Sequence, residues 1–356
     1  MVEAIFWTSL LCIAYVYAGY PLLLMVWRRL AQRPVHKQYQ EPSVSLVMTM
    51  HDERKNVCAK LENCFELDYP ADKLQVILSL DAPTDGTDAL VRDYAVRGVN
   101  VVYSPVRIGK AAALNSGVAV ATGEVLLFAD ARQQFDRSAL RELVANFADE
   151  SVGSVSGELV LLDEQGKESS DAVSAYWRYE KGLRAMESDI HSVPGASGAI
   201  YAIRRELFVP LHPETILDDV VIPMRIVLGG KRAIFDPAAC AYDVASQNPE
   251  LEYGRKTRTL TGNYQLFAQM PELLVPWRNP IALQMVSHKL GRLIVPYCLA
   301  TLFISNLFLL HGSYLVVFIC QILWYALAGA GWFLSIRSAE SPACQFPQFS
   351  RGEKEI

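Results

Sequence analysis

Four short stretches carry residues suited to binding a charged ligand: Thr49-Met50-His51-Asp52-Glu53, Asp81-Ala82-Pro83-Thr84-Asp85-Gly86-Thr87, Arg107-Ile108-Gly109-Lys110 and Asp130-Ala131-Arg132. A diphosphate needs its charge neutralised, and a hard divalent cation is held by carboxylate oxygen. Asp130 ends an apolar run and suits that cation. Lys110 suits a phosphate as a point charge. Asp81 suits hydrogen bonds from a base or ribose. Asp85-Gly86 on its own is more often just a turn.

Further along stand Gly195-Ala196-Ser197-Gly198-Ala199 and then Leu217-Asp218-Asp219-Val220. An acid pair at a helix start can remove a proton from an attacking hydroxyl. It can equally be an N-cap with a second acid favoured by the helix dipole. Tyr253–Gln265 holds Arg255, Lys256 and Arg258. Three cations so close suit a pyrophosphate leaving group, or a surface of anionic lipid.

These residues need strands and helices to place them. Ser43–Met50, Leu74–Asp81, Val99–Ser104 and Glu124–Asp130 are short apolar runs, separated by helical stretches over Glu53–Leu67, Thr84–Arg97 and Lys110–Ala121. The alternation predicts an α/β domain over residues 43–245 with a mainly parallel sheet and helices on both faces. Ligands of such sheets gather beyond the carboxyl ends of the strands, which is where the four stretches fall.

Two apolar regions flank this domain. Ala4–Trp27 contains no charged residue, and a helix of about 20 residues crosses a bilayer. Glu3 precedes the run and the basic residues follow it, which predicts a retained anchor rather than a cleaved signal. Leu293–Ile336 is also uncharged and about two crossings long, with His311-Gly312-Ser313 as a turn. It reads as two transmembrane helices, 293–310 and 314–336, rather than one buried hairpin, because neither shows a polar face. Arg28, Arg29, Arg33, Lys37, Lys289, Arg292 and Arg337 all fall on one side if the N-terminus is outside, which makes the middle of the chain cytoplasmic. Met285–Arg292 reads as an interfacial segment with His288, Lys289 and Arg292 as its polar side. The expected division is an N-terminal helix to residue 28, a linker over 29–42, the domain over 43–245, a gating and interfacial part over 246–292, two helices over 293–336 and a tail over 337–356.

Hydrophobic residues make up 51% of the 356 and charged residues 20%, apolar for a soluble protein, and the net charge of −5 gives no reason to propose nucleic acid as a partner. Seven dispersed cysteines, from Cys12 to Cys344, form no zinc-binding pair or disulfide framework and fit a reducing compartment.

The ordered set Thr49–Glu53, Asp81–Thr87, Gly109–Asn115, Asp130, Gly195–Ala199, Asp218-Asp219 and Arg255–Gln265 resembles the family 2 inverting glycosyltransferases, which include cellulose, chitin and hyaluronan synthases and bacterial exopolysaccharide enzymes. The similarity covers roughly residues 40–295. It implies a GT-A fold (nucleotide-diphospho-sugar transferase), flanking transmembrane helices in the inner cell membrane and hexosyl transfer from a nucleoside-diphosphate sugar, most often a UDP-sugar. It implies a saccharide or lipid-linked acceptor, membrane lipid around the helices and polysaccharide synthesis or export proteins as partners. Thr49, His51, Glu53, Asp81 and Lys110 would line the nucleotide pocket. Asp130 would bind Mg2+ or Mn2+, Asp219 would be the general base, and Arg255 and Arg258 would hold the diphosphate. Three departures stand out. Arg132 replaces the last acid of the usual Asp-x-Asp. The Gln-x-x-Arg-Trp of processive synthases is absent, Arg255–Thr259 standing in its place. The chain also has fewer helices than many relatives. Two other readings remain: a catalytically inactive nucleotide-binding subunit of an export complex, and a nucleotidyltransferase on an anchor, which leaves Asp218-Asp219 and the basic stretch unexplained.

Overall fold

A computed structural model describes residues 1–162, 172–244 and 249–339. Most of the expected tail, with Cys344, falls in 340–356, outside the described residues.

Eight strands form one sheet: β1 (Val44–Met50), β2 (Leu74–Asp81), β3 (Asn100–Ser104), β4 (Val125–Ala129), β5 (Gln134–Phe135), β6 (Val152–Leu162), β7 (Tyr201–Arg204) and β8 (Arg232–Val244). Their order is β3-β2-β1-β4-β7-β6-β8-β5. The first four in that order are parallel, as expected. β7 enters antiparallel between β4 and β6, and β5 pairs antiparallel with β8, so the sheet is mixed.

Alternation along β1 sorts side chains to two cores. Leu46, Met48 and Met50 join Val57, Leu61 and Cys64 of the helix Val57–Phe65 on one face. Val47 faces the other way, toward Ala111 and Leu114 of Lys110–Ala119 and Val221 and Met224 of Asp218–Leu228. That second face carries the two helices whose first residues are Lys110 and Asp218.

The helices outside the sheet form their own bundle. Val2–Leu30 is one long helix with a π-helical turn at Tyr15–Gly19. Its Tyr20 and Leu24 pack on Leu183 and Ile190 of the helix Ala172–Ile190. Its Phe6 packs on Leu302 and Leu309. A second π-helical turn, Met285–Leu290, leads into the helix Gly291–Asn306. Val2–Leu30 and Gly312–Gly331 are long and apolar enough to cross a membrane.

Candidate active site

The loops after β1 and β2 interlock. Asp81 is buried at the end of β2, and its two carboxylate oxygens accept from the Ile108 and Gly109 amides at 2.7 and 3.0 Å. It thereby fixes the turn that launches Lys110. His51 Nδ1 sits 2.6 Å from the Asp81 carbonyl oxygen. The Glu53 amide donates to Thr87 Oγ1 at 3.0 Å, and its carboxylate accepts from Asn56 Nδ2 at 2.7 Å. Asp85 accepts from the amides of Arg54 and Thr87, so the Asp85-Gly86 turn is a clasp between the two loops. These bonds also explain why the helices begin at Val57 and Thr87, later than the sequence predicts. Thr49 is half-buried near the end of β1. Thr49, His51, Glu53 and Asp81 therefore lie around one strand-end rim.

Lys110 ties this rim to the acids. Its Nζ is 3.1 Å from Asp130 Oδ1 and 3.2 Å from Asp218 Oδ1. Burial opposes its charge, but the carboxylates of Asp130, Asp218 and Asp219 outweigh burial and raise its pKa above the usual lysine value. Asp219 shows the reverse balance. Burial first, then the neighbouring Asp218 charge, push its pKa up to about 6, against the opposing pull of Lys110 and Lys289. A carboxylate so placed is basic enough to take a proton near neutral pH. Gly198 makes room for this meeting. A Cβ there would stand 3.3 Å from Asp219 Oδ2 and 3.6 Å from Asp130 Oδ2.

Arg132 is not free to join the Asp130 site. It pairs with Asp243 on β8, which Gln133 also contacts at 2.9 Å. Behind it, buried Lys60 donates to the Gln133 carbonyl at 2.7 Å and lies 3.4 Å from the Phe135 ring centroid. Burial lowers its pKa to about 8. The segment after Asp130 is thus held on both sides.

Arg255 and Arg258 lie on the helix Pro249–Gln269. Arg255 pairs with Glu252 at 2.8 Å, and Arg258 is exposed. Neither joins the acid cluster directly. Their helix is nonetheless docked beside it, since Gln265 accepts from the Ile216 amide at 3.0 Å and Gly262 packs against Leu217.

Three residues of the site escape sequence reading. Tyr201 is fully buried, its hydroxyl has no partner among the described residues, and burial together with Asp218, Asp219 and Asp130 raises its pKa far above the ordinary value. Arg184 donates to Ser156 Oγ at 2.7 Å, and the same oxygen accepts from the Ser197 amide at 2.9 Å. Lys289 reaches Gly195, where a Cβ would lie 3.5 Å from its Nζ. The polar side of Met285–Arg292 therefore faces inward, contrary to the interfacial expectation. His288 is only 6% exposed and bridges Glu187 at 2.8 Å and Glu180 at 3.0 Å, while Arg292 is 2.7 Å from Glu180. Acids on a neighbouring helix, not lipid, satisfy this face. Amphipathicity showed a polar stripe but not what lies opposite it.

The protein alone offers no metal cage: among the described residues no three His, Cys, Asp or Glu side chains converge on one point. Asp130 is 43% exposed, with Lys110 beside it and Asp218 on the lysine's other side. That fits a cation such as Mg2+, which is held by one or two carboxylates with substrate phosphates filling the rest.

Residues 45–209 match the family described as Glycosyl transferase family 2. The probable glycosyltransferase YdaM of Bacillus subtilis (strain 168) is 24% identical over 274 residues, covering 73% of this chain and 64% of that protein. The chain thus spans less than two thirds of that curated relative's length. The fold is similar to that of the mannosyltransferase PcManGT from Pyrobaculum calidifontis in complex with GDP-Man and Mn2+, with 24% identity, a TM-score of 0.70 and coverage of 92% of this chain and 98% of that one. S. aureus TarS 1-349 in complex with UDP-GlcNAc aligns with a TM-score of 0.50 at 13% identity, over 74% of this chain and 80% of that chain. The mixed α/β sheet is that of a GT-A-like fold, as the resemblance implied.

Proposed function

We propose a reaction from one premise: the chain carries a family 2 glycosyltransferase domain over residues 45–209. It moves a hexosyl group, with inversion, from a nucleoside-diphosphate sugar to a hydroxyl of a saccharide or lipid-linked acceptor. The observation that carries this reading is Lys110, which joins Asp130 to Asp218 within 3.2 Å and leaves Asp219 beside them.

Thr49, His51, Glu53 and Asp81 form the nucleotide side. Lys110 faces the phosphates, with Arg255 and Arg258 closing over them from the docked helix. Asp130 would hold Mg2+ or Mn2+, which neutralises diphosphate charge when bound. Asp219 accepts the proton of the acceptor hydroxyl as its oxygen bonds to the anomeric carbon. The bond from that carbon to the phosphate oxygen breaks, and its electron pair leaves with the diphosphate. No Trp follows the base in the Arg255–Thr259 stretch, which favours single additions over long processive synthesis. The two long apolar helices, with Arg28, Arg29, Arg33 and Lys37 beside the first, are the ground for reading a multi-pass protein of the inner membrane with its domain in the cytoplasm. Cell-surface or extracellular polysaccharide synthesis is the setting this fits, with export proteins as partners.

A UDP-sugar is the first donor to try. Membranes holding the full chain, given radiolabelled UDP- and GDP-sugars in turn, should transfer label from one of them. Chelator should stop transfer, and Mg2+ or Mn2+ should restore it. Donor binding with no transfer or hydrolysis across the panel would favour a non-catalytic nucleotide-binding subunit; full activity in chelator would remove the metal.

A further inference from the structure

Lys289 comes to the catalytic centre from outside the sheet domain. It sits on the π-helical turn Met285–Leu290, and such turns rotate side chains away from their regular helical positions. Its Nζ faces Gly195 at the start of the loop that wraps Asp219. The next residue of that loop, Ala196, donates its amide to the Asp219 carbonyl at 2.8 Å. Lys289 and Asp219 act on each other electrostatically. Among the described residues, Lys289 has no carboxylate within the 4.0 Å of an ion pair.

Its neighbours are fixed firmly. His288 is held between Glu180 and Glu187, and Glu187 also accepts from Tyr20 Oη at 2.6 Å. Tyr15 Oη is 2.7 Å from Ser287 Oγ, and a Cβ on Gly291 would stand 2.9 Å from Val16 Cγ2. The N-terminal helix and the helix Ala172–Ile190 therefore clamp the turn on two sides. Opposite charges attract more strongly in a partly buried site than in water, so nearby cations pull on a half-buried carboxylate. Asp219 has Lys110, which is shared with Asp130 and Asp218, Arg184, which is tied to Ser156 Oγ, and Lys289.

We propose that Lys289 is a positioning residue, a cation on the bundle side that keeps the Asp219 carboxylate directed at the acceptor, and that Tyr20, Glu187 and His288 hold it in place. This rests on Asp219 as the base. Without Lys289, the cations left acting on Asp219 are Lys110, on the donor side, and Arg184, which is tied to Ser156 Oγ at 2.7 Å. Misplacing a reacting group by about 1 Å costs roughly a hundredfold in rate.

The test compares D219N, K289M, K289R and Y20F in the membrane-bound full chain, by kcat and donor KM. K289M should lose roughly tenfold to a hundredfold in kcat with donor KM unchanged. K289R should recover most of that loss, and Y20F, which leaves the lysine in place, should fall between K289M and the unaltered chain. An equal loss in K289R and K289M overturns a role for the charge. Wild-type kcat in K289M, with D219N inactive, overturns the positioning role and leaves the base intact. If D219N itself turns over normally, the base assignment fails. Should K289M not accumulate in membranes, Y20F decides: wild-type kcat there overturns the clamp.

Discussion

Asp218 and Asp219 are adjacent acids at one helix start, yet their surroundings divide them. Asp218 is buried and paired with Lys110 at 3.2 Å. Asp219 is partly exposed, its pKa pushed up to about 6 by burial and by the Asp218 charge. Asn and Asp cap helices about equally well, so Asp219→Asn separates capping from proton transfer. We expect near-normal donor binding in that variant, with transfer down roughly a hundred- to ten-thousand-fold. Near-normal turnover would send the proton elsewhere. The same environment sets a pH dependence. A base must be ionised to act, so kcat should fall as pH drops through about 6 and level off above it. A flat profile between pH 5 and 8, on the roughly three-unit scale over which a single carboxylate titrates, would contradict Asp219 as the base.

At the scale of elements, the helix Pro249–Gln269 shows how a basic stretch is aimed. Arg255, Arg258, Gly262 and Gln265 follow at helical spacings that share one face. Gly262 allows the approach to Leu217, whose Cγ would lie 2.5 Å from an added Cβ. Arg258→Ala should raise donor KM roughly tenfold, the scale of one lost charged hydrogen bond, in initial-rate measurements. An unchanged KM would assign the stretch to anionic lipid instead. The parallel half of the sheet was legible because each strand is a continuous apolar run with its ligand-binding stretch at the end. The other half was not. β7 has only four residues and β5 only two, too short for periodicity to show, and their antiparallel pairing joins segments far apart in the chain. Lys289 and Arg184 were missed for a similar reason: each lies on a helix away from the strand ends, and the loop it faces is set only by the fold.

Seen whole, the molecule joins an apolar bundle to a polar catalytic face. The basic residues beside the helices predict that residues 40–290 share one compartment. A cysteine introduced at the turn 311–313, in a chain whose exposed Cys320 is replaced, should react with an impermeant thiol reagent in intact cells. Labelling only after permeabilisation would reverse the orientation. Arg28 meets Asp189 at 2.7 Å, so part of the basic flank that marks orientation also anchors the bundle to the domain.

The proposed clamp around Lys289 bears on how this chain can be divided. The family match ends at residue 209, before Asp219 and well before Lys289. A fragment trimmed to the sheet for the sake of solubility would keep the nucleotide rim but lose Arg255 and Arg258 with the helix Pro249–Gln269, and lose either Asp219 or its companion Lys289, so it should bind sugar nucleotide weakly and not turn it over. Chimeras that exchange the helical bundle between relatives would carry the same hazard unless residues 20, 187, 288 and 289 travel together. On the proposed assignment, the nucleotide rim, the diphosphate-holding helix and the base's companion charge come from different stretches of the chain, so dividing it anywhere between them should cost function.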